Sequence, residues 1–285
     1  VSEDKYFVSH RIHLARHAIR NGYHVGFVGK VTSDRDEIEA AGIEVHDWRL
    51  DRGSINPFTQ LRTILLLAKR MRDFSPDVIH AVAAKPILYS AIACWRLPVK
   101  RKVFALAGLG FVFSSSSIKA RLLKKITATA LRMVFFGENK TLIMQNKDDV
   151  DEVVSLNIIP RAKIKLIRGA GVNVEEFSPP TEQNKEVVVI LPARLLWDKG
   201  VAEFVEAAKR INASGLSARF ALVGEPDSQN PESIPLQIIK EWVKKGYVEW
   251  WGHQGDMPEI YRSSEVVCLP SYREGLPKSL LEAAS

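Results

Sequence analysis

Residues 187–200 read Val-Val-Val-Ile-Leu-Pro-Ala-Arg-Leu-Leu-Trp-Asp-Lys-Gly, and a helix-like segment near 200–213 follows them directly. The apolar run at the start has the length and the β-branched character of a buried strand, and the amphipathic stretch after the turn is long enough for a helix. The same order of short apolar run and longer amphipathic segment recurs along the chain. Strands that alternate with helices predict a parallel sheet, so the expected fold class is α/β.

Working outward from this unit, we predict two domains, because 285 residues exceed the length at which a single core usually divides. Residues 178–185 read Ser-Pro-Pro-Thr-Glu-Gln-Asn-Lys, a polar and proline-bearing stretch that is typical of a linker. The predicted division is a first domain at 1–178, a linker at 179–186 and a second domain at 187–285. Predicted strands are residues 24–28, 43–48, 78–82, 103–107, 141–144 and 164–167 in the first domain, and 187–191, 220–223, 248–251 and 266–269 in the second.

One helix start is specific enough to predict in detail. Asn56 can cap a helix that begins at Pro57, since proline is favoured in the first turn. The apolar positions that then fall on one predicted buried face are Leu61, Ile64, Leu65, Ala68 and Met71.

Both ends of the chain are abrupt. Residues 1–6 are polar and precede the helix pattern at 7–21, where a first strand would be expected, and the last residues, Ala-Ala-Ser, fall inside a helical pattern. We therefore expect the sheets of both domains to be incomplete.

Composition limits the class of protein. The formal charge of +7 favours anionic partners, among which nucleic acid, anionic lipid and sugar-nucleotide diphosphates all qualify. Cys94 and Cys268 have no nearby Cys or His at zinc-ligand spacing, so neither a disulfide framework nor a structural metal is expected. No apolar run approaches the roughly 20 residues of a membrane span. A soluble or peripheral protein in a reducing compartment is the expectation.

The residues with the clearest chemistry come last in the chain, at Glu274-Gly-Leu-Pro-Lys-Ser-Leu-Leu-Glu282, after the predicted strand 266–269. Pro277 suits a first helical turn, and Gly275 allows a ligand to approach the backbone. Free amides at such a helix start can bind a diphosphate, while Glu274 and Glu282 can accept hydrogen bonds from sugar hydroxyls.

Two basic residues lie where another strand of the same domain gives way to a helix. Arg194 offers a fork of donors and Lys199 a point charge, and both could neutralise a departing nucleoside diphosphate. Because ligands of open parallel sheets bind beyond the carboxyl ends of the strands, this loop and the Glu274 loop are expected to face one crevice.

This pattern resembles the donor site of the retaining glycosyltransferases of family GT4. Residues 169–179, Gly-Ala-Gly-Val-Asn-Val-Glu-Glu-Phe-Ser-Pro, are similar to the segment that ends the first domain in that family, and Pro76-Asp-Val-Ile-His80 is similar to its acceptor-side strand. Two further stretches, Ser9-His-Arg11 and Gly108-Leu-Gly-Phe-Val-Phe113, resemble the bacterial subgroup that builds surface polysaccharides and lipid-linked oligosaccharides. The resemblance implies the GT-B fold, in which two Rossmann-like domains face each other across a cleft, and it implies a second domain that is incomplete here.

The resemblance also implies an activity and a role for each site residue. The activity is transfer of a hexose or N-acetylhexosamine from a UDP-sugar to a lipid-linked or polysaccharide acceptor, with retained anomeric configuration and without a metal or other cofactor. Catalysis would involve Glu274, which holds the transferred sugar, and His80. The residues implied to bind the donor are Arg194, Lys199, Gly275, Leu276, Glu282 and His253, and those implied for the acceptor are His10, Arg11 and Lys85.

The sequence departs from the family in two places. Many members carry a second histidine two residues after the first on the acceptor-side strand, but here Val82 occupies that position. The glycine-rich loop that some members place near the donor phosphates is also missing.

Two other functions remain open at this stage. A UDP-sugar 2-epimerase shares the two-domain architecture, although the Arg194, Lys199 and Glu274 set argues against it, and a non-catalytic module that binds nucleotide-sugars or nucleic acid would rest on charge alone. We expect no nucleic acid partner. Residues 118–133 are basic and apolar at helical spacing and could rest on anionic lipid, which would make the protein cytoplasmic and peripheral on the inner face of the plasma membrane, although packing on the sheet explains them as well.

Overall fold

The computed structural model describes residues 1–50, 56–106, 108, 118–179, 186–228 and 230–285, with backbone only for 118–123. Within this part of the chain the residues divide into two compact units, Val1–Ala170 and Gly171–Ser285. The first unit therefore ends before the predicted boundary at 178. The reason is that Phe177 packs on Tyr261 of the second unit, with ring centroids 5.9 Å apart, so the residues after 170 fold with the downstream sheet. Most of the predicted linker, residues 180–185, lies outside the described residues.

The first unit alternates helices and short strands. Its elements are α1 (Asp4–Arg20), β1 (Gly26–Gly29), α2 (Arg35–Ala40), β2 (Glu44–Asp47), α3 (Pro57–Phe74), β3 (Val78–Val82), α4 (Ala84–Ala93), β4 (Arg101–Leu106), α5 (Ile118–Phe135), β5 (Lys140–Met144), α6 (Lys147–Ser155) and β6 (Ile164–Leu166). The strands form a parallel pair β1–β2 and a parallel four-stranded sheet in the order β3-β4-β5-β6. The predicted α/β class with parallel pairing is confirmed.

The main core of this unit lies between the four-stranded sheet and the helices that cover it. Phe104 and Leu142 point from the strands toward Leu131 and Phe135 of α5, and all four side chains are almost fully buried. The helical residues are four apart and so share one face. Right-handed crossovers between neighbouring parallel strands place α4 and α5 on the same side of the sheet.

Helix α3 begins as predicted, but its buried face matches the prediction only in part. The Asn56 side chain accepts hydrogen bonds from the amides of Phe58 and Thr59, which confirms the cap. Leu67 and Met71 are the fully buried residues, whereas Leu61 and Leu65 of the predicted face are 56% and 61% exposed. The predicted face is right for Met71 and Ile64 and wrong for Leu61 and Leu65, because α3 is apolar on two sides and contact with the cluster around Trp48, Tyr89 and Cys94 selects one of them.

The second unit is a smaller α/β layer structure. Its elements are β7 (Val188–Pro192), α7 (Val201–Ala213), β8 (Arg219–Val223), α8 (Leu236–Lys244), β9 (Glu249–Gly252), α9 (Met257–Arg262), β10 (Val266–Val267) and α10 (Lys278–Ala283). All four strands are parallel, in the order β10-β7-β8-β9. β10 is shorter than the predicted strand 266–269. The chain moves from β7 to β8 and β9 in one direction and then returns to the other side of β7.

Candidate functional site

The return of the chain creates a topological switch point between β7 and β10 in the second unit. Two loops leave the carboxyl ends of these adjacent strands, residues 193–200 after β7 and residues 268–277 after β10. In open α/β sheets the crevice at this point is where ligands bind. The strongest sequence motifs of the chain therefore lie on the two loops that border it.

Backbone contacts fix the two loops against each other. The Tyr272 amide donates a hydrogen bond of 3.0 Å to the carbonyl oxygen of Asp198. Gly200 has a φ of +72°, and a Cβ atom at that position would lie 2.2 Å from the carbonyl oxygen of Pro270. Only glycine allows this approach, so the loops meet at the level of the main chain.

Lys199 and Glu274 meet across the switch point. The Lys199 Nζ lies 2.5 Å from Glu274 Oε1, and both side chains are largely shielded from solvent. Partial burial strengthens such an ion pair relative to one on the surface. The structure thus brings a predicted diphosphate-binding cation and the predicted sugar-binding carboxylate into direct contact.

Arg194 turns toward the next loop instead. Its Nη1 donates a hydrogen bond of 2.9 Å to Asp227 Oδ2, on the loop after β8, and the guanidinium remains largely exposed. The backbones also touch here, because a Cβ on Gly224 would lie 2.0 Å from the carbonyl oxygen of Ala193. Sequence reasoning missed Asp227, although an acidic residue just beyond a predicted strand end was the signal that could have revealed it.

Gly275 and Leu276 follow Glu274 directly. Among the described residues, neither backbone amide has a hydrogen-bond partner. Pro277 is the residue before α10 rather than a member of its first turn, because its ψ of 118° is extended. The helix itself has six residues, so the two amides, rather than a long helix dipole, are the groups that can meet an anion.

Glu282 is buried on α10 and is held by two donors. The Tyr261 hydroxyl, on α9, donates a hydrogen bond of 2.8 Å to Oε2, and Lys278 Nζ lies 2.8 Å from Oε1. Burial, with the nearby carboxylate as a smaller cause, raises the pKa of Tyr261, so its hydroxyl keeps its proton. Tyr261 is a second residue that the sequence did not reveal. Each carboxylate oxygen retains a lone pair for a further donor.

His253 follows β9 on the same edge of the sheet. Its amide donates a hydrogen bond of 3.3 Å to Glu225 Oε1, and its imidazole is exposed. This backbone hydrogen bond fixes the loop. Contact between the His253 side chain and the donor base stays a prediction.

In the first unit, His80 and Arg11 line one cavity of about 440 Å³ beside β1 and β3. The Nε2 of His80 and the Nε of Arg11 are both buried, and neither has a hydrogen-bond partner among the residues that the structure describes. Burial, assisted by the charge of Arg11, lowers the pKa of His80 to about 4. The imidazole is therefore neutral near pH 7 and could act as a base or as a hydrogen-bond donor.

The other two predicted acceptor residues have local contacts. His10 stacks on Tyr6 with ring centroids 4.4 Å apart, and its Nδ1 lies 2.6 Å from the Ser9 hydroxyl. Lys85, in the first turn of α4, lies 5.8 Å from the ring centroid of Tyr89. Neither of these contacts involves His80.

No group of three metal-ligating side chains occurs among the residues the structure describes. Metal independence stays a prediction. Within the same residues, no helix is both long and apolar enough to span a membrane.

Comparison with known protein families gives a family match for each of the two units. Residues 1–146, more than half of the chain, match the family described as glycosyl transferase 4-like, and residues 186–285 match glycosyl transferases group 1. The chain belongs to the glycosyl transferase 4-like family. The predicted resemblance is thereby confirmed.

Two curated relatives of this glycosyl transferase 4-like chain are bacterial glycosyltransferases. It is 28% identical over 255 residues to an N,N'-diacetylbacillosaminyl-diphospho-undecaprenol alpha-1,3-N-acetylgalactosaminyltransferase of Campylobacter jejuni, covering 85% of this chain and 65% of the relative. It is 25% identical over 245 residues to a UDP-Gal:alpha-D-GlcNAc-diphosphoundecaprenol alpha-1,3-galactosyltransferase of Escherichia coli, covering 81% and 61%. The chain thus spans just under two thirds of each of these curated relatives.

Solved structures show that this family member has the GT-B fold. A glycosyltransferase from Rickettsia africae superposes with a TM-score of 0.68 at 18% identity, covering 95% of this chain and 71% of that one. The Anabaena protein HepE in complex with UDP-glucose superposes with a TM-score of 0.67 at 16% identity, covering 90% and 69%.

Proposed function

We propose that the protein transfers a hexose or N-acetylhexosamine from a UDP-sugar to a lipid-linked or polysaccharide acceptor, with retention of anomeric configuration. The observation that carries this proposal is the contact between Lys199 and Glu274 at the switch point between β7 and β10. A cation and a carboxylate at this edge match the two parts of a nucleotide-sugar, its diphosphate and its hydroxyls.

The first step in this mechanism is binding of the diphosphate. Lys199 and Arg194 approach it from the loop after β7, and the amides of Gly275 and Leu276 donate hydrogen bonds to it. As the bond to the sugar breaks, negative charge grows on the leaving phosphate. Fixed cations and amides stabilise that charge more than the charge of the ground state, which lowers the barrier.

The carboxylates orient the rest of the donor. Once a diphosphate draws Lys199 toward it, Glu274 is released to accept hydrogen bonds from hydroxyls of the transferred sugar. Glu282, which Tyr261 and Lys278 hold in one orientation, is suited to the ribose hydroxyls because its remaining lone pairs are pre-aligned. His253 is the proposed contact of the base.

Retention follows if the acceptor hydroxyl attacks from the face that the leaving group vacates. In this front-face displacement the leaving phosphate accepts the proton of the acceptor, so the reaction requires neither a protein nucleophile nor a metal. Neutral His80, with Arg11, His10 and Lys85 on the same unit, would position the acceptor. The names of the Campylobacter jejuni and Escherichia coli relatives specify diphospho-undecaprenol acceptors, which supports a lipid-linked acceptor here and peripheral placement at the inner face of the plasma membrane.

Substitution of the central ion pair tests the proposal. We expect Lys199→Met and Glu274→Gln each to lower transfer of radiolabelled sugar from a UDP-sugar to a lipid fraction by at least about 100-fold. Lys199→Met should also weaken UDP binding in calorimetry, whereas Glu274→Gln should leave UDP itself bound, because the transferred sugar that Glu274 is proposed to hold is absent from UDP.

The matched controls are Lys245→Met and Glu241→Gln, which break a comparable ion pair on the surface of α8. Both controls should transfer sugar at the unaltered rate. Unchanged transfer by Lys199→Met and Glu274→Gln would defeat the proposal. An inverted anomeric centre in the product, read from its proton NMR coupling, would exclude the retaining mechanism alone.

A further inference from the structure

Helix α3 exposes an apolar surface on the side that faces away from the core. Phe58 is 83% exposed, Leu61 56% and Leu65 61%, while Leu67 and Met71 on the opposite side are buried. A surface helix normally has one apolar stripe and a polar outer side. Here the outer side is apolar as well. We call this surface the α3 outer face; its residues are Phe58, Leu61, Arg62, Leu65, Leu66, Lys69 and Arg72.

These residues are contiguous on the helix. Phe58, Leu61 and Leu65 are three and four positions apart and so lie side by side. Lys69 continues the same row one turn after Leu65, and Arg72 lies three positions further on. Single exposed apolar residues are common on soluble proteins, but a continuous row of them marks an interaction surface.

The charged side chains on this face are all positive. Arg62, Lys69 and Arg72 are exposed, and none of their side chains forms an ion pair within the described ranges of the chain. Asp73 is the one acidic residue of the helix. Long basic side chains can place their charged ends at lipid phosphates while their methylene stems and apolar neighbours enter the interface.

Helix α5 offers a weaker alternative. Ile126 and Met133 are also exposed, at 57% and 73%. However, two of its cations with described side chains are engaged within the protein, since Lys124 pairs with Glu152 at 2.8 Å and Arg132 donates hydrogen bonds to the carbonyls of Leu156 and Asn157, while Lys125 is exposed. Among the described side chains, α3 presents three exposed cations, Arg62, Lys69 and Arg72, beside its apolar row, and charge complementarity to an anionic surface therefore favours α3.

We propose that the α3 outer face docks on an anionic lipid bilayer, with the helix axis in the plane of the interface. Phe58, Leu61 and Leu65 enter the boundary of the acyl chains, and Arg62, Lys69 and Arg72 meet the lipid phosphates. This surface extends the proposed function from the donor site to the place where a lipid-linked acceptor resides, and it is independent of how the donor binds.

Vesicle flotation of the purified protein tests this surface. The vesicles contain phosphatidylcholine alone or phosphatidylcholine mixed with phosphatidylglycerol. The unaltered protein should float with the mixed vesicles and stay behind with the neutral ones. Leu61→Glu combined with Leu65→Glu should abolish flotation, and Arg62→Gln combined with Lys69→Gln should lower the partition coefficient by about fivefold for each charge removed.

Two controls make the result specific. Leu216→Glu replaces a leucine of similar exposure in the second unit, and Ile126→Glu alters α5; both should float like the unaltered protein. Circular dichroism and UDP affinity should be the same in all variants, which separates this test from that of the donor site. Flotation of the Leu61→Glu, Leu65→Glu variant, loss of flotation only in Ile126→Glu, or equal binding to neutral vesicles would overturn the proposal.

Discussion

His80 combines burial with a neighbouring cation. Its pKa of about 4 lies below the ordinary value of 6.5, because burial, and to a lesser extent Arg11, disfavours the charged imidazole. Between these two pH values the unfolded chain binds a proton that the folded chain does not. The free energy of unfolding therefore falls as the pH drops from about 6.5 toward 4, by about 3 kcal/mol in total for this group.

The substitution His80→Gln tests this pH dependence. Urea unfolding at a series of pH values should show that the variant loses less stability than the unaltered protein between pH 6.5 and 4, by about 3 kcal/mol. His17→Gln, at an exposed position of α1, is the matched control for the replacement of a histidine by glutamine. Parallel stability curves for the unaltered protein and His80→Gln would show that folding does not lower the pKa of this imidazole.

Single residues also show the limit of sequence reasoning. Lys199 and Glu274 are 75 positions apart, yet the strand-end rule and the family resemblance predicted that they would share a crevice. Asp227 and Tyr261 were not predicted, because their roles depend on side-chain direction and on which loop or helix lies alongside. Arg194 illustrates the same limit: its position after β7 follows from the strand pattern, but its ion pair with Asp227 does not.

At the scale of elements, the close approach of two loops at Gly200 makes a sharp prediction. Gly200→Ala combines a strained positive φ with a contact of 2.2 Å between the new Cβ and the Pro270 carbonyl oxygen. We expect it to lower the free energy of unfolding by about 2–5 kcal/mol. Because the loops after β7 and β10 must then separate, UDP affinity measured by calorimetry should fall as well.

Gly215 supplies the matched control for this substitution. Its φ of +82° is similarly unfavourable for alanine, but nothing lies within 4 Å of the position its Cβ would occupy. Gly215→Ala should therefore lower the free energy of unfolding by only about 1–2 kcal/mol and leave the UDP affinity unchanged. Equal losses in the two variants would mean that backbone strain, and not the contact with Pro270, dominates at Gly200.

The helices and strands could largely be predicted from the sequence, but the buried face of α3 could not. β-branched runs and strand-end turns identified every strand of both units to within a few residues. The beginning of α3 was equally clear, since Asn56 and Pro57 are local signals. Its buried face was not, because a helix with two apolar sides carries no local information about which one meets Trp48 and Tyr89.

At the scale of the whole molecule, the buried clusters divide as the chain does. Those of the first unit draw their members from residues before Ala170, and those of the second from residues after Gly171. All the residues proposed to bind the donor lie in the second unit. Saturating UDP should therefore stabilise that unit selectively.

Hydrogen exchange read by mass spectrometry tests this selectivity. At a UDP concentration about 100-fold above its dissociation constant, exchange of the amides in β8 should slow by up to about 100-fold. The amides of β5, a strand at a comparable place in the first unit, serve as the internal control and should exchange at their original rate. Equal slowing in β5 would show that the two units open together.

The ion pairs of the two cations proposed to bind the donor have a consequence for inhibitor chemistry. Lys199 forms an ion pair with Glu274, and Arg194 forms one with Asp227. An inhibitor that binds these cations must therefore compete with two carboxylates. A diphosphate mimic that lacks a full negative charge would attract these cations less strongly than the carboxylates do, and should therefore bind weakly. Potent antagonists should therefore be strongly anionic analogues, or scaffolds that leave both pairs intact and occupy the neighbouring Tyr261 and Glu282 instead.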